Sequence, residues 1–258
     1  MSDIGGMISF WIYPVLFATG LVAGLVDSIA GGGGLITLPV LLGVGFSPQF
    51  ALGTNKLQSS FGSGSPMAHF VDAKTVAPGE SIAGAVLTAI GAGLGAYTVQ
   101  RLNPDFLRAV IPYLLLAIAV YTILTPRLGR SDIHPRLPVR LFYPLFGILL
   151  GFYDGFFGPG TGSFWVVALM LGLGYNMTKA TGYTKVMNFA SNIVSLVVFI
   201  AGGHVNYAAG FTMGAGQAIG ARFGSRLVIR RGTGFIRPVF ITMVLAMTAK
   251  LLYDNYKG

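Results

Sequence analysis

The sequence predicts an all-α polytopic membrane protein built from two homologous halves, and three observations carry that expectation. Hydrophobic residues fill 53% of the 258 positions and charged residues only 10%, with a mean hydropathy of +0.72, well outside the averages of soluble domains. Apolar stretches long enough to cross or nearly cross a bilayer recur along the chain and leave almost nothing for a domain outside it. An unusual pattern, a carboxylate followed by a glycine break deep in apolar sequence, occurs twice. The first copy runs through Gly20, Gly24 and Asp27 into Gly31, Gly32, Gly33 and Gly34, and the second runs through Gly147, Gly151 and Asp154 into Gly158, Pro159, Gly160, Thr161 and Gly162.

The stretch 8–30 lacks the basic leader and cleavage signature of a signal peptide and itself carries the first aspartate, so it reads as a retained helix. Behind the break comes a short apolar piece, 35–46. A dozen residues at 1.5 Å rise reach about 18 Å, short of a hydrocarbon core of about 30 Å, so this piece either enters and returns or ends at mid-depth. A polar loop follows, ending in Thr54, Asn55 and Lys56, and three further helices include the apolar stretches 81–99 and 106–124. The second half repeats the order with 141–157, a break, 163–173, a polar run ending in Thr184 and Lys185, and the stretches 186–201, 207–223 and 235–253.

The duplication extends past the breaks. Ala51, Gly53 and Lys56 match Ala180, Gly182 and Lys185 at a spacing of 129, and Phe106 and Arg108 match Phe235 and Arg237 at the same spacing. The two repeats therefore fall at 1–124 and 141–258, joined by a basic linker at 125–140 whose three prolines and four arginines cannot form an embedded helix.

Arginine placement orients the halves. The linker has four arginines and the segment 222–237 has five, against two in 101–108, so the first two segments are expected on the cytoplasmic side. If the broken element re-enters, each half crosses three times, both basic segments fall on one side, and the repeats are inverted. Counting the broken helix as one crossing gives four per half and parallel repeats, but strands one basic segment outside. The inverted arrangement is preferred.

Several function classes are excluded at this level. Without cysteine there are no disulfides or thiolate metal sites, and His69, His134 and His204 share no spacing with acids that would hold a metal. The net charge of +9 sits in short loops and reads as a topology signal, not a nucleic-acid surface. No convergent acid, base and nucleophile set is present, so the chain is not expected to be an enzyme, and no cofactor is implied.

What remains is a ligand site at the breaks. An interrupted helix at membrane depth exposes backbone N–H groups at the start of its second piece, and such a break survives only when buried in protein or lining a cavity. Gly31, Gly32, Gly33 and Gly34, with Gly158, Gly160, Thr161 and Ser163, present two donor clusters of the kind anions prefer. Lys56 and Lys185 add a cation at each presumptive helix start, and Asn55, Gln58, Thr184 and Asn188 add oriented polar groups. Asp27 and Asp154 are the acids inside strongly apolar stretches. They either couple transport to protons or form static pairs with Lys56 and Lys185 or with backbone donors.

The glycine segment ending in Asp27 and Ser28, the cluster from Gly31 to Pro39, and the run Ala51, Gly53, Thr54, all duplicated, resemble the sulfite exporter TauE/SafE family. The likeness covers essentially the whole chain. It implies secondary transport of small sulfur-containing anions, such as sulfite and sulfonates including sulfoacetate, across a bacterial-type inner membrane. The second copy departs from the first at Tyr183 in place of Thr54, Thr184 in place of Asn55, and Pro159 within the break, so two equivalent ligand sites are not expected.

The sequence thus points to a transporter binding one small anion near mid-membrane, by alternating access of two repeats and with protons as the expected coupling ion. An anion channel on paired re-entrant elements is the rival. The expected partners are the anion and the lipid bilayer, not nucleic acid; a homodimer is left open.

Overall fold

The computed structural model describes residues 10–30, 32–124 and 134–231, and within these every regular element is helical. In chain order they are α1 (Ile12–Ala30), α2 (Gly34–Gly43), α3 (Pro48–Asp72), α4 (Pro78–Gln100), α5 (Pro104–Leu124), α6 (Val139–Phe156), α7 (Thr161–Leu173), α8 (Met177–Ala201) and α9 (Tyr207–Arg231). The expected stretch 235–253, most of the linker and Gly31 lie outside the described residues.

Local chemistry sets most boundaries. Pro48, Pro78 and Pro104 stand at helix starts, where the missing N–H costs nothing. Asn176 caps α8 by accepting from Lys179 N at 2.9 Å. Gly158 and Gly160 take φ values of +96° and +84°, a left-handed conformation that side chains resist, so the chain can turn sharply between α6 and α7. Within α6, Pro144 cannot bond to the preceding turn, and the helix widens to a π-turn over Tyr143–Gly147.

The short pieces have the expected lengths. At 1.5 Å per residue, the 10 residues of α2 and the 13 of α7 reach about 15 and 20 Å, less than a bilayer core. Leu35, Ile36, Thr37, Leu38, Pro39 and Leu41 of α2 are buried in protein, which shields the broken backbone from lipid.

The polar loop expected before each lysine is helix instead. α3 begins at Pro48 and α8 at Met177, so Lys56 and Lys185 each sit in the third turn, not at a helix start. Loop propensity of Thr54 and Asn55 is overridden because their side chains find partners inside the bundle, Thr54 Oγ1 accepting from Asn206 N at 3.0 Å and Asn55 Oδ1 from Thr37 and Gln58, and Thr184 is buried beside Lys185 in the packed α8. α6 likewise begins at Val139, inside the stretch read as linker.

Neighbouring helices form a series: α1 packs on α9, α9 on α3, α3 on α8, α8 on α4, and α4 on α6. Glycines permit the two outer seams. A Cβ at Gly24 would collide with Gln217 O and one at Gly220 with Leu21 O, while at the other seam Gly151 meets Thr88 O and Gly91 meets Ile148 O. Small residues at such crossings let backbones touch, the usual source of helix affinity in lipid. Gly84 and Gly95 also sit in close contact, whereas Gly93 meets only Val194 at 3.3 Å.

Exposure is inverted relative to a water-soluble bundle. Ile82, Val86, Ile90 and Leu94 of α4 and Leu141, Leu145 and Leu149 of α6 recur every fourth residue and point outward. Asn55, Lys56, Gln58, Ser63, Lys185, Ser191 and Asn192 of the central α3 and α8 are buried. Residues Ser81–Gln100 of α4, all of α6 and all of α8 are long and apolar enough to cross a membrane, and with these outward faces the chain is an integral membrane protein.

Candidate functional site

The polar interior is organised by two crossed ion pairs. Lys56 Nζ on α3 donates to Asp154 Oδ1 on α6 at 2.7 Å and also to the Asp154 carbonyl. Lys185 Nζ on α8 donates to Asp27 Oδ2 on α1 at 3.0 Å and to the Asp27 carbonyl at 3.1 Å. Each lysine thus reaches the last turn of a helix from the opposite half of the chain. The helix dipole places negative charge at these helix ends, so an ammonium is favoured there.

The two pairs differ in detail. Asp27 is held through both oxygens, since Oδ1 accepts from Gly33 N at 3.3 Å, beyond the break. Asp154 is held through Oδ1; among the described residues its buried Oδ2 has no hydrogen-bond partner. The Asp154 side chain is 5% exposed and that of Asp27 14%, so the pair with the spare oxygen is also the more deeply buried.

Between the halves lies a cavity of about 40 Å³, room for roughly three waters at the 10–15 Å³ each requires, or for an ion of a few heavy atoms. Of the residues singled out in the sequence, Asp27, Gly34, Asn55, Lys56, Asp154, Gly158, Gly160, Thr161 and Asn188 line it. Gln58 stands behind, donating to Asn55 Oδ1 at 2.8 Å, while Asn55 Oδ1 also accepts from Thr37 Oγ1 at 2.6 Å. Gly32, Gly33, Ser163, Thr184 and Lys185 lie off its wall, and Gly31 falls outside the described residues. Of the roles open to the aspartates in the sequence, the structure shows ion pairs with the two lysines, so both ammonium groups are neutralised by carboxylates.

Ser59, Ser63, Gly162, Asn192 and Gln217 complete the wall. Asn192 Nδ2 donates to Ser63 Oγ at 3.2 Å, joining α8 to α3 at the centre. Gln217 and Ser63 are the residues that sequence reasoning overlooked. A lone amide in the apolar stretch 207–223 was the available signal for Gln217, and Gly62 makes room for it, since a Cβ there would strike the Gln217 amide. Asn188 Oδ1 and Gln217 Oε1 are buried and unpartnered, like Asp154 Oδ2.

A membrane-embedded bundle with paired charges around a polar cavity is the frame for the comparisons. The family model described as Sulfite exporter TauE/SafE matches residues 16–251. The chain belongs to the TauE/SafE sulfite exporter family. It is 44% identical over 250 residues to the "Probable membrane transporter protein YfcA" of Escherichia coli, covering 97% of this chain and 93% of that protein. A "Probable membrane transporter protein" of Haemophilus influenzae is 43% identical over 244 residues, at 95% and 96% coverage. YunE of Bacillus subtilis, also named a probable membrane transporter protein, is 23% identical over 268 residues, at 94% and 98%. No solved structure gives a significant match. This TauE/SafE member is accordingly a membrane transporter, not an enzyme.

Proposed function

We propose that the protein is a proton-coupled secondary transporter for small sulfur-containing anions, sulfite or short sulfonates such as sulfoacetate, in a bacterial-type inner membrane. The observation that carries this reading is the crossed pairing around the cavity: Lys56 with Asp154 and Lys185 with Asp27. Four buried charges cluster in an apolar bundle beside a space fit for an ion of a few heavy atoms, and intramembrane charges of this kind mark substrate or ion pathways.

The anion is held among Lys56, Asn55, Asn188 and the α7 start at Gly160 and Thr161, which line the cavity together. Gly32, Gly33, Gln58, Ser163, Thr184 and Lys185 act behind this wall. The halves 1–124 and 141–258 move as inverted repeats in alternating access. The reciprocal packing supports this, since α1 of the first half lies on α9 of the second, and α6 of the second lies on α4 of the first. The lysines and aspartates that cross between halves hold the occluded arrangement, and their rearrangement opens one side or the other.

A flux assay in liposomes tests the reading. Sulfite and short sulfonates should enter slowly and saturably, faster under an inward acid gradient, and Lys56→Ala should abolish the flux. Absence of saturable flux for all of them removes the reading, and large unitary currents in a planar bilayer would favour a channel.

A further inference from the structure

We infer that Asp154 is the proton-coupling carboxylate, that its protonation releases Lys56 to bind the transported anion, and that Asp27 stays paired with Lys185 throughout. The inference rests on the transport reading above and specifies how one proton and one anion share the site.

The charge balance of the cavity is the starting point. Two lysines and two aspartates in close pairs sum to zero. An anion added to that neutral set would be buried without compensation, and a charge in that position is costly. Protonating one aspartate leaves one ammonium unmatched, which is equally costly until an anion arrives. Neither ligand is stable alone and both are stable together, so each raises the affinity of the other. The proton comes from water on the open side, resides on the carboxylate during the transition, and leaves to water on the opposite side with the anion. A monovalent anion then crosses without net charge.

Geometry selects the aspartate. Both oxygens of Asp27 are engaged, one by Lys185 at 3.0 Å and the other by Gly33 N at 3.3 Å, so each already accepts from a donor that stabilises the charged form. Asp154 has a free position: Oδ2 is buried and unpartnered, and the residue lines the cavity. A protonated carboxyl must donate, and the unpartnered oxygens Asn188 Oδ1 and Gln217 Oε1 line the same cavity. The freed cation is also in place, because Lys56 lines the cavity and Lys185 does not.

Among the described residues, the surroundings contain no competing acid beyond Asp27. On α6 the neighbour Tyr153 donates its hydroxyl to Pro159 O at 2.6 Å. α3 contributes Lys56 itself, and α7 contains no titratable residue. On α8, Lys185 is held by Asp27, Lys179 lies over the Tyr175 ring and the Tyr183 hydroxyl accepts from Ala77 N. On α4 the described titratable side chain, Tyr97, is exposed.

The test begins with the unaltered full chain. Titrated in weakly buffered detergent solution with methanesulfonate, which does not itself titrate, the protein should take up one proton per anion bound. Its infrared difference spectrum should gain a protonated-carboxyl band. Asp154→Asn, which mimics the protonated form, should bind the anion with no proton uptake and no new band. In liposomes it should exchange labelled anion yet lose gradient-driven accumulation by about tenfold or more. Anion binding without proton uptake in the unaltered protein overturns the inference even if the variant fails to fold, as does binding that follows sodium in place of protons. Proton uptake that persists in Asp154→Asn overturns it as well. If the unaltered protein neither binds nor carries methanesulfonate, sulfite or sulfoacetate, the transport reading itself falls.

Discussion

The ammonium of Lys56 closes on the carboxylate of Asp154 at 2.7 Å, across 98 positions of sequence, with both side chains almost wholly buried. In a bilayer interior such a pair is balanced closely between desolvation and attraction, so removing one partner and removing both have different consequences.

Lys56→Ala strands a buried carboxylate and should destabilise the protein by about 3–5 kcal/mol. The double variant Lys56→Met with Asp154→Leu should recover most of that loss, because no charge remains to be desolvated, yet carry no anion. Thermal unfolding in detergent and liposome flux, run on the same three proteins, read the two effects apart. Equal destabilisation of single and double variants would refute the pairing.

The outer helix seams should tolerate no added carbon. Gly24→Ala and Gly151→Ala place a Cβ against the Gln217 and Thr88 carbonyls, and overpacking of this kind costs about 1–3 kcal/mol. Gly79→Ala, where a Cβ meets nothing within 4 Å, should be neutral. Melting temperatures compare them directly.

Gly62→Ala tests the contribution of Gln217. The new methyl group meets the end of a flexible side chain, not backbone, so the fold should persist while the amide leaves the cavity wall. The half-saturating anion concentration should rise by about tenfold or more, the weight of a lost hydrogen bond to a charged group. Gln217→Ala should match it, and unchanged affinity in both would remove Gln217 from the site.

A loop histidine gives a pH signature separate from transport. His204, between α8 and α9, bonds through Nδ1 to Gln100 Oε1 at 2.8 Å and meets the Phe50 ring edge-on. Burial holds its imidazole below the usual histidine range. The unfolded chain therefore gains a proton at higher pH than the folded one, and stability falls as pH drops through the ordinary histidine value of about 6.5. Melting followed against pH should show the fall in the native protein and a flatter profile in His204→Gln.

Much of the fold is legible in the sequence because its causes are local. The breaks after Asp27 and Asp154 fall where glycine runs leave helix propensity low, and the lengths of α2 and α7 follow from the turn residues that bound them. The polar runs before Lys56 and Lys185 misled for the converse reason. Thr54, Asn55 and Thr184 favour loops in isolation, but α3 and α8 pack at the centre of the bundle, where Asn55 bonds to Thr37 and Gln58. Gln217 was concealed in a helix that otherwise reads as packing surface.

The sequence alone determined that the chain is membrane-embedded, where its helices break, and that Asp27 and Asp154 lie inside apolar stretches, since hydropathy and backbone preference act over a few residues. Only the tertiary structure decided the partners. Asp27 stands nearer Lys56 in the sequence, and Asp154 nearer Lys185, yet each lysine takes the aspartate of the opposite half. The choice belongs to helix packing: the glycine seams set α1 on α9 and α6 on α4, and the central contact of α3 with α8 brings each ammonium to the far helix end.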